Sequence, residues 1–223
     1  MTPVFFISPT DVVPSITPKT HMMFHFEKAY IFKNKIVELS PLHSSHEAAL
    51  AKFSEEEEIW THFIENGYGQ HHFESYLKQA IEQRTAKYQY PFVIKDLRTN
   101  ELAGMTRLYD VDNHLKNIKI GHTWIGKQFQ GTGLNKASKF LLFEFLFEEI
   151  QMERIGFGAS AENTTSIKAM ESIGCVQEGR LRSFLPTASP TKRIDIVLFS
   201  LLKAEWEQEV KAALVQKLKS YNS

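Results

Sequence analysis

Apolar and polar positions along the chain change their period several times, and each change marks an element. Residues 29–39 alternate and are rich in β-forming side chains, which predicts a first strand. The run Ser54-Glu55-Glu56-Glu57 has the form of a capping box, with Ser54 as N-cap and Glu57 at the third helical position. Glu55 to Glu58 then sit in a helix's first turn, where the macrodipole favours acids, and this outweighs an acidic binding site. Gly67 and Gly69 close that segment. Residues 71–87 read as an amphipathic helix with Phe73, Tyr76, Leu77, Ala80 and Ile81 on one face. Three strands follow at 91–95, 102–109 and 118–125, joined by turns that carry Asp96, Thr99, Asn100, Asp110, Asp112 and Asn113. A Gly-rich turn opens a helix over 134–150, apolar on nearly all sides and therefore buried. A strand over 154–161 leads to a helix capped by Asn163 and ended by Gly174. Strands at 175–185 and 193–202 and an amphipathic helix at 204–218 close the chain. A meander followed by alternating helices and strands means α+β with a mixed sheet.

Residues 1–27 stand apart. Pro3, Pro9, Pro14 and Pro18 are four of the chain's eight prolines. Phe5, Phe6, Met22, Met23, Phe24 and Phe26 are too apolar for a solvated tail. An extended arm at 1–27, packed on the domain or on a neighbouring subunit, and one domain over 28–223 are expected. No signal peptide is expected, since the start lacks a basic region and Pro3 and Pro9 interrupt it. The 223 residues carry 26 Lys+Arg against 26 Asp+Glu. That balance argues against a reader of nucleic-acid backbones, which needs a basic excess. One cysteine, Cys175, excludes an intramolecular disulfide framework and fits the reducing cytoplasm. No apolar run approaches the roughly 20 residues of a membrane helix.

The informative stretch is Gly121 to Asn135, GHTWIGKQFQGTGLN, a strand running through a glycine turn into a helix. The backbone N–H groups of Gly131, Thr132, Gly133, Leu134 and Asn135 can converge there on an anion. A Walker A loop fails, because Thr132 stands where Lys is required. A dinucleotide fingerprint fails, because Lys136 stands at its third glycine. The pattern Q-x-x-G-x-[GA] fits fully from Gln128 to Gly133, and from Gln130 to Asn135 with Asn in place of the last small residue, and the second frame has the better context.

That loop resembles the pyrophosphate loop of the GNAT N-acetyltransferases, and more of the chain resembles their RimJ/RimL-like branch. Asn163 and Ser166, Glu171 and Gly174, and Glu178, Gly179, Leu181 and Arg182 stand in the branch's order. The resemblance implies a GNAT fold, a mixed and mostly antiparallel central sheet flanked by helices. It implies acetyl-CoA as cosubstrate and a primary amine, on a small molecule or a peptide, as acceptor. It places pyrophosphate on Gln130, Gly131, Thr132, Gly133, Leu134 and Asn135, and pantetheine along Thr123, Trp124 and Ile125 and near Asn163. A homodimer is compatible with it.

There are three departures. Met170 occupies the place of a Tyr that many of these enzymes use to protonate the leaving thiolate, so Ser166 is the nearest hydroxyl for that work, unless it only helps to cap its helix. The neighbourhood of the usual Glu base holds Lys119 and His122, and a neutral His122 can deprotonate an ammonium. Cys175 replaces a common Phe and fills a core slot rather than acting as nucleophile. The missing Tyr and Glu keep a non-catalytic acyl-CoA-binding module open as an alternative, and another acyl-CoA as donor is a second alternative. The clusters His43, His46, Glu47 and His71, His72 read as solvated helix ends, not as a metal site.

Overall fold

The computed structural model describes residues 23–186 and 193–221. Eight strands form one sheet in the order β1-β2-β3-β4-β5-β6-β8-β7. They are β1 (Phe32–Lys33), β2 (Val37–Pro41), β3 (Gln89–Asp96), β4 (Glu101–Asp112), β5 (Asn117–Ile125), β6 (Arg154–Ser160), β7 (Val176–Pro186) and β8 (Arg193–Leu202). Every neighbouring pair is antiparallel except β5 with β6. The helices are α1 (Glu47–Leu50), α2 (Glu57–Trp60), α3 (Gln70–Thr85), α4 (Leu134–Glu144), α5 (Thr164–Ser172), α6 (Lys203–Glu205) and α7 (Lys211–Lys219).

The first strand is broken where the alternation suggested continuity. Asn34 turns the chain: its Oδ1 accepts from the N–H groups of Ile36 and Val37, and β1 folds back on β2. Ser54 is not an N-cap. It is buried in a 3-10 turn, its carbonyl accepts from the Gly69 N–H, and α2 starts later, behind Glu56. The capping-box pattern is present, but tertiary burial of Ser54 takes precedence over it. The helix at 134–150 forms as α4 continued by a π-turn, Phe145–Glu149. The described end of the arm packs inward: Phe24 is buried against Tyr30, Phe26 and Tyr90. Residues 1–22 of the expected arm lie outside the described residues.

Two features of the sheet create a site. The β5–β6 pairing extends only from Asn117↔Arg154 to Lys119↔Gly156. Beyond it the two strands continue with their other neighbours, β5 to Ile125 beside Gly104 and β6 to Ser160 beside Ile196. The sheet therefore opens between them. On the β4 side, Arg107 pairs with Gly121 and Met105 with Trp124, so His122 and Thr123 together face the single residue Thr106. This is a β-bulge, and His122 takes φ +47° to make it.

Candidate active site

The glycine turn lies just beyond the open end of β5. Gly131 and Gly133 have φ of +74° and +81°, a region that favours glycine, and the space around a Cβ on Gly131 is empty. Gly133 is the N-cap of α4 and offers no side chain to the first-turn N–H groups, which leaves them to a ligand. Asn135 Oδ1 is buried in the first turn without a hydrogen-bond partner, a polar atom that an incoming group can satisfy. These features suit an anion such as the pyrophosphate of CoA.

The remaining loop residues hold the turn in shape. Gln130 donates from Nε2 to the Ile125 carbonyl at 2.9 Å, and its own N–H bonds to the Lys127 carbonyl. Thr132 Oγ1 donates to the Phe129 carbonyl at 2.6 Å. The Thr132 carbonyl accepts from Arg98 Nη1 at 3.0 Å, and Arg98 is itself clamped by both oxygens of Asp96. Burial would raise the Asp96 carboxyl, but the hydrogen bonds from Arg98 outweigh it and hold the group below its ordinary value. Leu134 is fully buried and anchors α4.

At the bulge, Trp124 is buried and its Nε1 donates to Tyr76 Oη. Thr123 points to the opposite face, where its Oγ1 lies 2.8 Å from Thr106 Oγ1 and 2.8 Å from Lys139 Nζ. His122 Nδ1 lies 2.9 Å from Glu65 Oε2, and both side chains keep about a quarter or less of their surface exposed, 21% and 25%. The imidazole also meets Tyr109 edge to face at 5.4 Å. Glu65 carried no signal in the sequence: it lies 57 positions before His122, in an irregular segment. Across the opening, Asn163 Oδ1 accepts from the Ser166 N–H at 2.9 Å, the N-cap bond of α5. Ser166 thus sits in the first turn of α5, and Met170 is buried one turn later. Burial pushes the Cys175 thiol up to about 12, which removes it as a thiolate nucleophile. No group of three or more His, Cys, Asp or Glu among the described residues is placed to hold a metal. His46 Nδ1 accepts the His43 N–H instead. No helix among the described residues is long and apolar enough to cross a membrane.

A family model described as "Acetyltransferase (GNAT) domain" matches residues 37–176. The Bacillus subtilis (strain 168) protein named "Putative ribosomal N-acetyltransferase YdaF" is 35% identical over 113 residues, 51% of this chain and 60% of that relative. The match therefore spans less than two thirds of the relative's length. A crystal structure of a putative acetyltransferase from T. thermophilus matches with a TM-score of 0.76 at 27% identity, over 88% of this chain and all of the other. Mycobacterium smegmatis RimJ, solved in complex with CoA-disulfide, shares the fold at a TM-score of 0.70 and 20% identity, over 85% and 93% of the two chains.

Proposed function

The chain belongs to the GNAT acetyltransferase family, and from that premise we propose that it moves the acetyl group of acetyl-CoA directly onto a primary amine. The observation that carries this is the uncapped glycine turn at the mouth of the opening between β5 and β6. Acetyl-CoA, when bound, supplies an acyl carbon activated as a thioester. The first-turn N–H groups of α4 hold its pyrophosphate. The unpaired edge of β5 from Thr123 to Ile125 holds the pantetheine, and the backbone N–H near Trp124 polarises the acetyl carbonyl. Gln130 and Thr132 keep the turn in place, and Asn163 keeps α5 at the other side of the opening.

His122 is the base in this reading. Glu65 takes up Nδ1, so Nε2 is the nitrogen left for an ammonium proton. Ser166 stands on the α5 side of the opening as a hydroxyl available to the departing thiolate. The name of the Bacillus subtilis relative, a ribosomal N-acetyltransferase, supports an amine on a protein as the acceptor over a small amine. The chain's single cysteine leaves no intramolecular disulfide to form, which supports the reducing cytoplasm as the compartment.

The decisive experiment has two parts. Gly131→Asp puts a negative charge into the empty space of the turn and should weaken acetyl-CoA by at least about tenfold, roughly 1.4 kcal/mol, in calorimetry. Gly133 is the poorer probe, because a Cβ there would overlap the Tyr221 ring and disturb the C-terminus as well. Thiol release in the presence of peptides with free N-termini then separates an enzyme from a binding module. Unchanged affinity in a folded Gly131→Asp protein refutes the phosphate cradle.

A further inference from the structure

The face of the sheet below Thr123 holds a group that the mechanism above does not use. Lys139 comes from the second turn of α4 and is only 4% exposed. Its Nζ donates to Thr106 Oγ1 at 2.9 Å and to Thr123 Oγ1 at 2.8 Å, and the two hydroxyls are 2.8 Å apart. The three groups close a triangle across β4 and β5. Thr106 is the β4 residue that faces the bulge, and Thr123 is one of the two bulge residues. The amine is therefore tied to the same short piece of strand that borders the opening.

The electrostatics of this spot are unusual. Among the described residues, the titratable group acting on Lys139 is Cys175, and that thiol is neutral, pushed up to about 12 by burial. Burial likewise pushes the Lys139 amine down to about 7. A buried ammonium with only hydroxyls for partners is costly to the fold. A methionine would fill the same slot without that cost. The amine is thus poised to give up or take a proton near neutrality, with a hydroxyl in contact on the active-site strand.

We propose that Lys139, in place of Ser166, holds the proton taken up by the departing CoA sulfur and passes it on through the Thr123 hydroxyl. The proposal rests on the acetyl-transfer reading. As the carbon–sulfur bond breaks, its electron pair stays on sulfur. Thr123 Oγ1 gives its hydrogen to that sulfur and takes one from Lys139 Nζ. Lys139 is left as the neutral amine and regains a proton from water before the next turnover. Thr123 is then the residue that touches the reacting atoms, and Lys139 is a positioning residue one step behind it. Thr106 fixes the direction of the relay by accepting a second Lys139 hydrogen. The arrangement supplies what Met170 cannot, since a thioether has no proton to give.

The test uses the full chain, one accepted amine, and the variants Lys139→Met, Thr123→Val, Thr123→Ser and Ser166→Ala. Lys139→Met and Thr123→Val should lower kcat by about 100-fold or more, the usual scale of a lost acid catalyst. Calorimetric affinity for acetyl-CoA should stay within about threefold, and Thr123→Ser, which keeps the hydroxyl, should restore most of the rate. The fall of kcat above about pH 7 in wild type should vanish in Lys139→Met. A second readout needs no ligand. Between about pH 7 and 10 the unfolded lysine binds a proton that the folded one has released, so the unfolded state holds more protons and wild-type stability rises with pH. The unfolding constant of wild type should fall by up to about tenfold per pH unit relative to Lys139→Met.

A folded Lys139→Met protein with kcat within about twofold of wild type, or with the same pH profile, overturns the relay. So does a larger loss of kcat in Ser166→Ala than in Thr123→Val. If Lys139→Met does not fold, the contrast between Thr123→Val and Thr123→Ser decides. A wild-type protein that binds acetyl-CoA yet releases no thiol with any amine fails before the variants are compared, and that result overturns the transfer reading and the relay together.

Discussion

His122 leaves the regular path of its strand, and its neighbours show what that achieves. A non-glycine residue at φ +47° is uncommon and persists only when its surroundings hold it. Glu65 binds Nδ1, and Tyr109 packs against the ring edge to face. Tyr109 has room because Gly121 carries no Cβ. Burial would raise the Glu65 carboxyl, but the His122 hydrogen bond and charge, with the Arg107 charge, outweigh it and hold the group below its ordinary value. The pair therefore keeps its carboxylate down through the usual Glu range near 4.3 and loses it only in stronger acid. His122→Gln should cost about 10²- to 10⁴-fold in kcat, with acetyl-CoA affinity unchanged. Glu65→Gln should lower kcat less and alter the ¹⁵N shifts of the imidazole, because the ring loses the partner that orients it. Unaltered shifts would show that Glu65 does not set the ring's state. His122 was legible in the sequence as a histidine beside the turn. Its partner was not, because a contact over 57 positions leaves no local pattern.

The turn before α4 is held by its own residues and by a second piece of chain, and only the first was legible. Gln130, Gly131, Thr132 and Gly133 form a local motif, and the structure puts them where the motif implies, between β5 and α4. Arg98, in the β3–β4 turn, reaches the Thr132 carbonyl from the side, held there by Asp96 at the end of β3. Nothing in the spacing of β3 and β4 reveals that reach. The same limit explains Ser54, whose sequence neighbours form a good cap but which is buried, with its carbonyl taken by the distant Gly69 N–H. Regular elements with a strong period, such as α3, β4 and β8, were legible to within a few residues. The break at Asn34 was not, because alternation continues through the turn. Asp96→Asn should free Arg98 from its clamp and weaken acetyl-CoA severalfold, measured by calorimetry. It should also change acid stability. The folded Asp96 pKa is depressed, so its contribution is present above the ordinary Asp value of about 3.9 and is lost as pH falls through the lower folded value. Between about pH 5 and 3, Asp96→Asn should therefore lose less stability than wild type.

The whole molecule is tied across its opening by the C-terminal segment. α7 packs on α4, and Lys217 Nζ donates to the Ser172 carbonyl at the end of α5 at 2.8 Å. Val210 fills the space that Gly174 leaves just after α5. Tyr221 lays its ring against Gly133, with Lys136 Nζ 6.0 Å from the ring centre. One segment thus touches the helix that follows β5 and the helix that follows β6, the two strands that part. Loosening it should change the width of the opening without touching the bulge, where His122 and Thr123 stand. Tyr221→Ala removes the contact at the turn, and Lys217→Met removes the contact at α5. Each should raise the Michaelis constant for acetyl-CoA, and the double variant should raise it further, with kcat held within about twofold. Loss of kcat at unchanged affinity in either variant would mean that the segment acts on the bulge and not on the cosubstrate's entry, and it would remove this account of the C-terminal helix.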